Sequence, residues 1–330
     1  MGDVAMSVPV LSALIEQNPE IKITVLSRAF LEPLFKDLPN TTFYNADVNG
    51  KHKGFLGLHK LYRELSALKI DAVADIHNVL RSKILRFFFL FSRKNISVID
   101  KGRIEKKALT RAKKKVFKAL KTTTERYSDV FRKLGFLVDL SHPKFSSKKE
   151  IPEKVKILIG KEKVKLIGIA PFAQYESKMY PLDLMTEVIT ELSQNKNYKI
   201  LLFGGGQKEI EVLKKIEEPF ENVISLAGKF KFGEELNIIS NLDCMVSMDS
   251  GNAHLAAIFG VKTITIWGVT HPFTGFYPFH QPMEYAVLPN LKKYPNIPCS
   301  IYGNKVCEGY EDVMRSIPSE IVIEKIKDIL

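Results

Sequence analysis

The stretch SMDSGNAHLAAIFGVKTITIWG, residues 247–268, predicts the end of a buried strand, a short helix and a second buried strand. Asp249, Ser250 and Gly251 stand where the first strand gives way to the helix, and His254 follows one helical turn later. Near-continuous apolar strands separated by a helix are typical of a parallel sheet covered on both faces. The stretch therefore predicts an α/β fold with a polar turn at the strand ends, where such sheets bind ligands.

The same alternation of strand and helix runs along the whole chain and is interrupted once. Residues 138–160 are polar and contain proline, which is typical of a linker. The 330 residues also exceed what a single hydrophobic core usually holds. We predict two Rossmann-like domains with parallel sheets facing a cleft, one spanning residues 1–150 and the other 151–330.

Three local features concern the cellular compartment. The longest apolar run, ILRFFFLF at 84–91, is much shorter than the ~18 residues of a membrane span and predicts a buried helix against a sheet. The first residues lack the pattern of a signal peptide. The cysteines are too few for a disulfide framework or a zinc site, so we expect free thiols at Cys244, Cys299 and Cys307. Together these features predict a cytoplasmic protein.

The net charge of +12 is concentrated in one segment, residues 101–126, with eleven Lys or Arg and two Glu. Its apolar residues recur at helical spacing and predict a basic amphipathic helix: Leu109, Ala112, Val116, Phe117 and Leu120. One interpretation is a solvated face. The other is a surface that attracts anionic lipid, in peripheral contact with the inner membrane, or a phosphorylated acceptor. Few aromatic residues accompany the charges, so we do not expect nucleic acid as a partner.

The turn at 249–251 has the chemistry of a phosphate site. Unpaired N–H groups at a helix N-terminus favour an anion, Gly251 allows close backbone approach, and Ser250 is able to cap or donate. Asp249 is unexpected beside an anion unless it orders the turn or contacts a hydroxyl. The alternative is ordinary N-capping with His254 as a core residue.

Three further loops are predicted at the same sheet edge. The loop 170–181 carries Lys178, a point charge suited to a diphosphate, or else a solvated lysine. The loop 203–209 carries Glu209, a candidate for a ribose hydroxyl, or else a first-turn acid favourable to the helix dipole. Gly228 ends a fourth loop whose backbone is placed to meet a base. Neither a P-loop nor an Asp-x-Asp pair occurs, so no metal site is expected.

These residues resemble the signature of glycosyltransferase family nine, the bacterial heptosyltransferases. The stretch DSGNAHLAAIFGVKTITIWGVTHP carries the most specific part of the resemblance. Weaker similarities follow the family order: GDVAMSVPVLSALIEQNP, DAVADIHNVLRS, ERYSDVFRKLG, GIAPFAQYESKMYP, LLFGGGQKE and SLAGKFKFGEEL.

The resemblance implies a GT-B fold and inverting transfer of a heptose from ADP-heptose to the lipopolysaccharide inner core, without a cofactor. It implies Asp3 as the general base, and His77 and Arg81 as acceptor contacts. It implies the remaining site residues as donor contacts: Lys178, Glu209, Gly228, Asp249, Ser250, Gly251 and His254. The enzyme would work in the cytoplasm, including the cytoplasmic face of the inner membrane.

One departure concerns Asp3. The Gly-Asp-Val motif of the family follows a first strand, whereas Gly2 and Asp3 open this sequence. We expect a central strand of about 6–8 residues to be missing, which weakens the assignment of Asp3. This departure keeps open a non-catalytic nucleotide-sugar-binding homologue. Two further alternatives are transfer of another nucleotide sugar to a cell-envelope glycan and a basic nucleic-acid binder, the latter supported only by residues 101–126.

Overall fold

The computed structural model describes residues 1–160 and 164–330 and divides into two compact units. The N-terminal unit comprises Ser7–Gly102 and Thr123–Lys144. The C-terminal unit comprises Met1–Met6, Arg103–Thr122 and Phe145–Leu330. The division thus differs from a single boundary at residue 150, because two segments of the first half pack with the second.

The N-terminal unit contains two separate parallel sheets of two strands each. Strand β1 (Ile23–Ser27) pairs with β2 (Thr41–Asn45), and β3 (Ala72–Asp75) pairs with β4 (Asn95–Val98). Most residues of these strands are only half-buried, although parallel sheets are normally covered on both faces. The predicted parallel pairing is therefore present in this unit, but not as one continuous sheet.

Helices pack on these sheets through apolar stripes. They are α2 (Ser7–Gln17), α3 (Gly54–Ser66), α4 (Leu80–Phe91) and α6 (Thr123–Arg132), with a 3₁₀ helix at Ala29–Leu34. Leu58, Leu61 and Leu65 recur on one face of α3 and pack against α4. On α4 the buried side chains are Leu85, Phe88 and Phe89, whereas Phe87, Leu90 and Phe91 are exposed. The prediction that 84–91 is a buried helix is therefore wrong for one of its faces.

The C-terminal unit is built on a six-stranded parallel sheet with the order β10-β9-β8-β5-β6-β7. The strands are β5 (Lys165–Ala170), β6 (Tyr198–Leu202), β7 (Val223–Ser225), β8 (Cys244–Met248), β9 (Lys262–Ile266) and β10 (Ala286–Val287). Every residue of β8 is buried, as expected for a central strand covered on both faces. This sheet carries the main core of the unit.

Helices alternate with the strands of this sheet, as the sequence predicts. They are α8 (Leu182–Ser193), α9 (Gln207–Glu217), α10 (Phe232–Ile239) and α11 (Gly251–Ala257). The unit also contains α1 (Gly2–Ala5), α7 (Glu153–Ile159) within the predicted linker, and α12 (Ser319–Ile329). The α/β class with parallel sheets is confirmed. Within the described parts of the chain, no helix is long and apolar enough to cross a membrane.

The basic segment does not form one long helix. Helix α5 spans Arg103–Thr110, and residues 111–122 continue without helical structure within the C-terminal unit. Leu109 is fully buried, and the Phe117 ring packs against His271 and Phe273. The Lys115 ammonium donates to the carbonyls of Asn296 and Pro298. The predicted amphipathic helix over 101–126 is therefore wrong for residues 111–122, which make contacts within the C-terminal unit instead of continuing the helix.

Candidate functional site

The site lies where the sheet of the C-terminal unit changes direction. The strands β5 and β8 are hydrogen-bonded neighbours, but the chain continues from β5 to β6 on one side and from β8 to β9 on the other. At such a switch point the following loops separate and leave a crevice beyond the strand ends. The loop after β5 carries Lys178, and the turn after β8 carries Asp249 and Ser250.

Lys178 and Asp249 meet in this crevice as a nearly buried ion pair. The Lys178 Nζ lies 2.8 Å from Asp249 Oδ2, with side chains 13% and 7% exposed. The Thr270 hydroxyl donates to the same carboxylate oxygen at 2.9 Å. Removing one partner of such a pair is costly, since the other charge would stay buried and uncompensated. Asp249 is thus the counter-ion that fixes the lysine, which accounts for an acid beside a candidate anion site.

Ser250 and Gly251 open helix α11 without a side-chain cap. The Ser250 side chain makes no capping hydrogen bond, and its Oγ lies 3.0 Å from Ser247 Oγ instead. Ordinary N-capping by Ser250 is therefore wrong. A Cβ on Gly251 would come within 2.9 Å of Met1 Cε and 3.6 Å of Gly2 N. The N-terminal residues consequently pack directly on the start of α11.

His254 is buried on α11 near four charged groups, which are Asp249, Asp3, Lys178 and the N-terminal amine. Burial lowers the pKa of its imidazole to about 4, although the Asp249 and Asp3 charges act in the opposite direction. Among the residues that the structure describes, its Nδ1 is a buried nitrogen with no hydrogen-bond partner. Such a nitrogen costs about 1–3 kcal/mol in lost hydration and is uncommon outside functional sites. The structure therefore does not show His254 as a core histidine with both ring nitrogens hydrogen-bonded, and its role in the site stays a prediction.

Asp3 reaches this cluster from helix α1. Helix α1 packs on α11, and a Cβ on Gly2 would lie 3.0 Å from His254 Cδ2. The pKa of Tyr302 is raised by burial and, to a smaller extent, by the nearby Asp3 charge. The structure thus gathers Asp3, Lys178, Asp249, Ser250, Gly251 and His254 within the C-terminal unit.

A loop that the sequence analysis did not assign to the site packs against Lys178. Cys299 and Cys307 form a disulfide that closes residues 300–306 into a loop, so the expectation of free thiols is wrong for these two cysteines. Cys244 alone is a free and buried thiol. Gly303 packs against the Lys178 side chain with φ of +85°, and its carbonyl accepts a hydrogen bond from the Ser177 hydroxyl. No short-range sequence signal links residue 303 to residue 178.

Glu209 and Gly228 occupy the neighbouring strand ends. The Glu209 Oε2 accepts a 2.7 Å hydrogen bond from the Gly205 N–H, so the carboxylate orders its own glycine loop at the start of α9. Gly228 has φ of +72°, and a Cβ there would lie 2.6 Å from Ile210 Cδ1. Both residues lie on the strand-end edge, but the structure also gives each a local role.

His77 and Arg81 belong to the N-terminal unit. Both are exposed and follow β3. The Asp75 carboxylate orders this turn, since its Oδ1 accepts hydrogen bonds from the N–H groups of His77 and Asn78. Arg86 Nε lies 2.9 Å from the other oxygen. The structure therefore explains how the turn is held, while the role of His77 and Arg81 stays a prediction.

Comparison with known proteins identifies relatives over the whole chain. Residues 58–300 match the model of glycosyltransferase family 9 (heptosyltransferase). Lipooligosaccharide heptosyltransferase 2 of Campylobacter jejuni is 26% identical over 340 residues, which cover 100% of this chain and 95% of the relative.

Two solved structures share the fold. A glycosyl transferase family 9 protein from Veillonella parvula has a TM-score of 0.75 at 20% identity, covering 99% of this chain and 94% of that one. An E. coli heptosyltransferase with ADP-2-deoxy-2-fluoro heptose has a TM-score of 0.70 at 17% identity, covering 100% and 96%. These likenesses confirm the GT-B fold class.

Proposed function

Because the chain belongs to glycosyltransferase family 9, the heptosyltransferase family, we propose that it transfers a heptose from ADP-heptose to a lipopolysaccharide inner core. The relative in Campylobacter jejuni is named a lipooligosaccharide heptosyltransferase, and an E. coli neighbour was solved with an ADP-heptose analogue. The observation that carries the proposal is the Lys178–Asp249 pair at the switch point, next to Ser250, Gly251 and His254.

The donor contacts follow from the chemistry of a nucleoside diphosphate. Lys178 supplies one positive charge to the diphosphate, and Ser250 and Gly251 supply a hydroxyl and backbone N–H groups. Since Asp249 holds the ammonium in place, the lysine does not have to be ordered when the donor binds. Glu209 binds the ribose, and the Gly228 backbone contacts the nucleobase of the donor, in line with their positions after β6 and β7.

Transfer proceeds with inversion in a single displacement. The acceptor oxygen attacks the anomeric carbon, the bond from that carbon to the diphosphate oxygen breaks, and ADP leaves with the electron pair. The Asp3 carboxylate takes the acceptor's proton as general base. Lys178 stabilises the charge that develops on the diphosphate, which lowers the barrier selectively in the transition state.

The reaction requires no cofactor and no metal ion in this proposal. The positive charge that a metal would bring to the diphosphate comes from Lys178 and the N–H groups at α11, and the sequence has no Asp-x-Asp pair. Turnover should therefore persist in the presence of EDTA. Loss of activity with EDTA and its recovery with added Mg²⁺ would contradict this part.

The acceptor is an anionic lipopolysaccharide precursor, and the cytoplasmic face of the inner membrane is the place of reaction. Exposed cations lie along the basic segment and provide attraction for phosphates: Arg103, Lys107, Arg111, Lys113, Lys114 and Lys118. Leu109 is buried, whereas Ile104, Val116 and Phe117 are exposed, so peripheral membrane contact through 101–126 would combine electrostatic attraction with these apolar side chains. His77 and Arg81 are the proposed acceptor contacts of the N-terminal unit.

The test combines donor binding with transfer. Thermal shifts against ADP-, GDP-, UDP- and CMP-sugars should single out the ADP-sugar. Asp3→Asn should abolish transfer while leaving ADP affinity unchanged, since the base does not contact the leaving group. Asp328→Asn, the same change at an exposed acid of α12, is the matched control. Retained turnover in Asp3→Asn would rule out Asp3 as the base.

Two alternatives have distinct outcomes in these assays. A preference for another nucleotide sugar would indicate a different cell-envelope glycan as product. Binding of ADP-heptose without turnover would indicate a non-catalytic homologue. One observation supports this second alternative: the Met1 side chain packs on Gly251, so a diphosphate at this position requires Met1 to move.

A further inference from the structure

Helices α3 and α4 expose a group of large apolar side chains on the N-terminal unit. We call it the apolar patch and define it as Phe55, Leu56, Phe87, Leu90 and Phe91, whose side chains are 51–83% exposed. Aromatic contacts connect its two helices. The Phe55 ring packs edge-on against Phe88 at 5.4 Å, and Phe87 packs against both Phe88 and Phe91.

The core of the unit does not account for this patch. Leu85, Phe88 and Phe89 already provide the buried face of α4. A helix that only covers a sheet places polar residues on its outer face, whereas α4 ends in the sequence FFFLF. Contiguous exposed apolar groups of this kind mark interaction surfaces in soluble proteins.

The charges around the apolar patch are of one sign. Residues 80–94 contain five Lys or Arg, and residues 51–63 contain four, without a single Asp or Glu in either segment. Two of these cations have acidic partners elsewhere, Lys51 with Glu64 and Arg86 with Asp75. Lys53, Lys60, Lys83 and Arg93 are exposed beside the patch.

From these observations we infer that the apolar patch is a docking surface for an anionic phospholipid bilayer. Phe87, Leu90 and Phe91 enter the boundary between headgroups and acyl chains, as the apolar face of an interfacial helix does. Lysine and arginine stems extend along the apolar surface while their charges contact lipid phosphates. A basic rim around an apolar centre is complementary to that interface, whereas a soluble acidic protein would match only the rim.

This surface is distinct from the basic segment 103–122. That segment belongs to the C-terminal unit, in which Leu109 is buried and the Phe117 ring contacts Phe273. Docking through α4 also places the N-terminal unit at the membrane whatever sugar the enzyme transfers, so the inference does not depend on the donor.

The experiment is vesicle flotation with the full chain. The wild-type protein should float with vesicles of phosphatidylcholine containing about one third phosphatidylglycerol, bind pure phosphatidylcholine much more weakly, and lose binding as salt rises. The variant Leu90→Gln/Phe91→Gln should lose at least about tenfold in affinity for the anionic vesicles. Lys83→Glu/Arg93→Glu should also weaken binding, and most strongly at low salt.

The matched control is Ile157→Gln/Leu158→Gln, which makes the same chemical change at two adjacent exposed residues of α7 in the C-terminal unit. It should bind vesicles as the wild type does. All variants should keep the wild-type melting temperature and ADP affinity, which separates docking from folding and from the donor site.

Two results would overturn the inference. One is wild-type vesicle binding by Leu90→Gln/Phe91→Gln. The other is a wild-type protein that does not bind anionic vesicles. If that protein sediments as a dimer that the same variant converts to a monomer, a second copy covers the patch.

Discussion

At the residue scale, Lys178 is the group on which donor binding depends. Lys178→Ala removes the ammonium and leaves the buried Asp249 carboxylate facing the diphosphate, so attraction is replaced by repulsion. We expect ADP affinity to fall by about 2 kcal/mol or more, by analogy with hydrogen bonds to charged groups, as measured by calorimetry.

Lys327→Ala is the control for this change. Lys327 also pairs with a carboxylate, Glu191, but on the exposed surface of the same unit. Exposed pairs contribute little, so this variant should bind ADP normally. Unchanged affinity in Lys178→Ala would remove the lysine from the donor site.

His254 makes the stability of the fold sensitive to acid. Its folded-state pKa of about 4 lies below the ordinary value of 6.5, so the unfolded chain takes up the proton first. The free energy of unfolding should therefore fall as pH drops from about 6.5 toward 4, by roughly 2 kcal/mol between about pH 7 and about pH 5. Urea unfolding of the wild type and His254→Gln at these two pH values measures the contribution.

Two other groups titrate in the same range, so the comparison has to be made between variants. Burial lowers the pKa of His271 to about 4, which acts in the same direction. Burial raises the pKa of Glu235 to about 7. The contribution of Glu235 to the free energy of unfolding therefore falls as pH rises, opposite to the contribution of the two histidines. Equal pH dependence in wild type and His254→Gln would contradict a neutral buried imidazole.

At the scale of elements, the disulfide-closed loop at 299–307 positions Lys178. A Cβ at residue 303 would overlap the Lys178 side chain, coming within 2.6 Å of its Cγ, at a φ that favours glycine. Gly303→Ala should displace the lysine from Asp249 and lower ADP affinity several-fold.

Gly309→Ala separates the contact from backbone strain. Gly309 has a similar φ of +75°, with open space where its Cβ would be. Both variants should lower the melting temperature, since each forces alanine into the left-handed region. Only Gly303→Ala should weaken ADP binding, and equal ADP affinity in both variants would show that the loop does not position Lys178.

At the scale of the whole molecule, the two units should differ in local stability. The N-terminal unit rests on two half-buried two-stranded sheets, whereas the C-terminal unit has a six-stranded sheet in which most residues are buried. Two-stranded sheets are marginally stable on their own. Backbone amides of β1–β4 should therefore exchange hydrogen faster than those of β5, β6 and β8.

Adding ADP extends this hydrogen-exchange measurement to the site. Protection should increase at 172–181, 203–210 and 249–254, all within the C-terminal unit, and stay unchanged in β3 and β4. Protection confined to the N-terminal unit would contradict the donor site, while uniform exchange across both units would contradict the difference in stability.

The sequence by itself determined the fold class and most element positions. Apolar runs that alternate with amphipathic segments are local patterns, and burial on both faces of a parallel sheet follows from them directly. The turn at Asp249, Ser250 and Gly251 was found in the same way, because strand-end loops of a parallel sheet share one edge. A family resemblance added Asp3, which no local pattern identifies.

The tertiary structure decided which charges and side chains meet. Three features depend on contacts between residues distant in sequence: Asp249 as counter-ion of Lys178, the packing of Gly303 against Lys178, and the non-helical course of 111–122. Periodicity predicts that a segment has an apolar face, but not whether another part of the protein covers that face. For this reason the exposed aromatic face of α4 was predicted as buried, and the basic segment as an amphipathic helix.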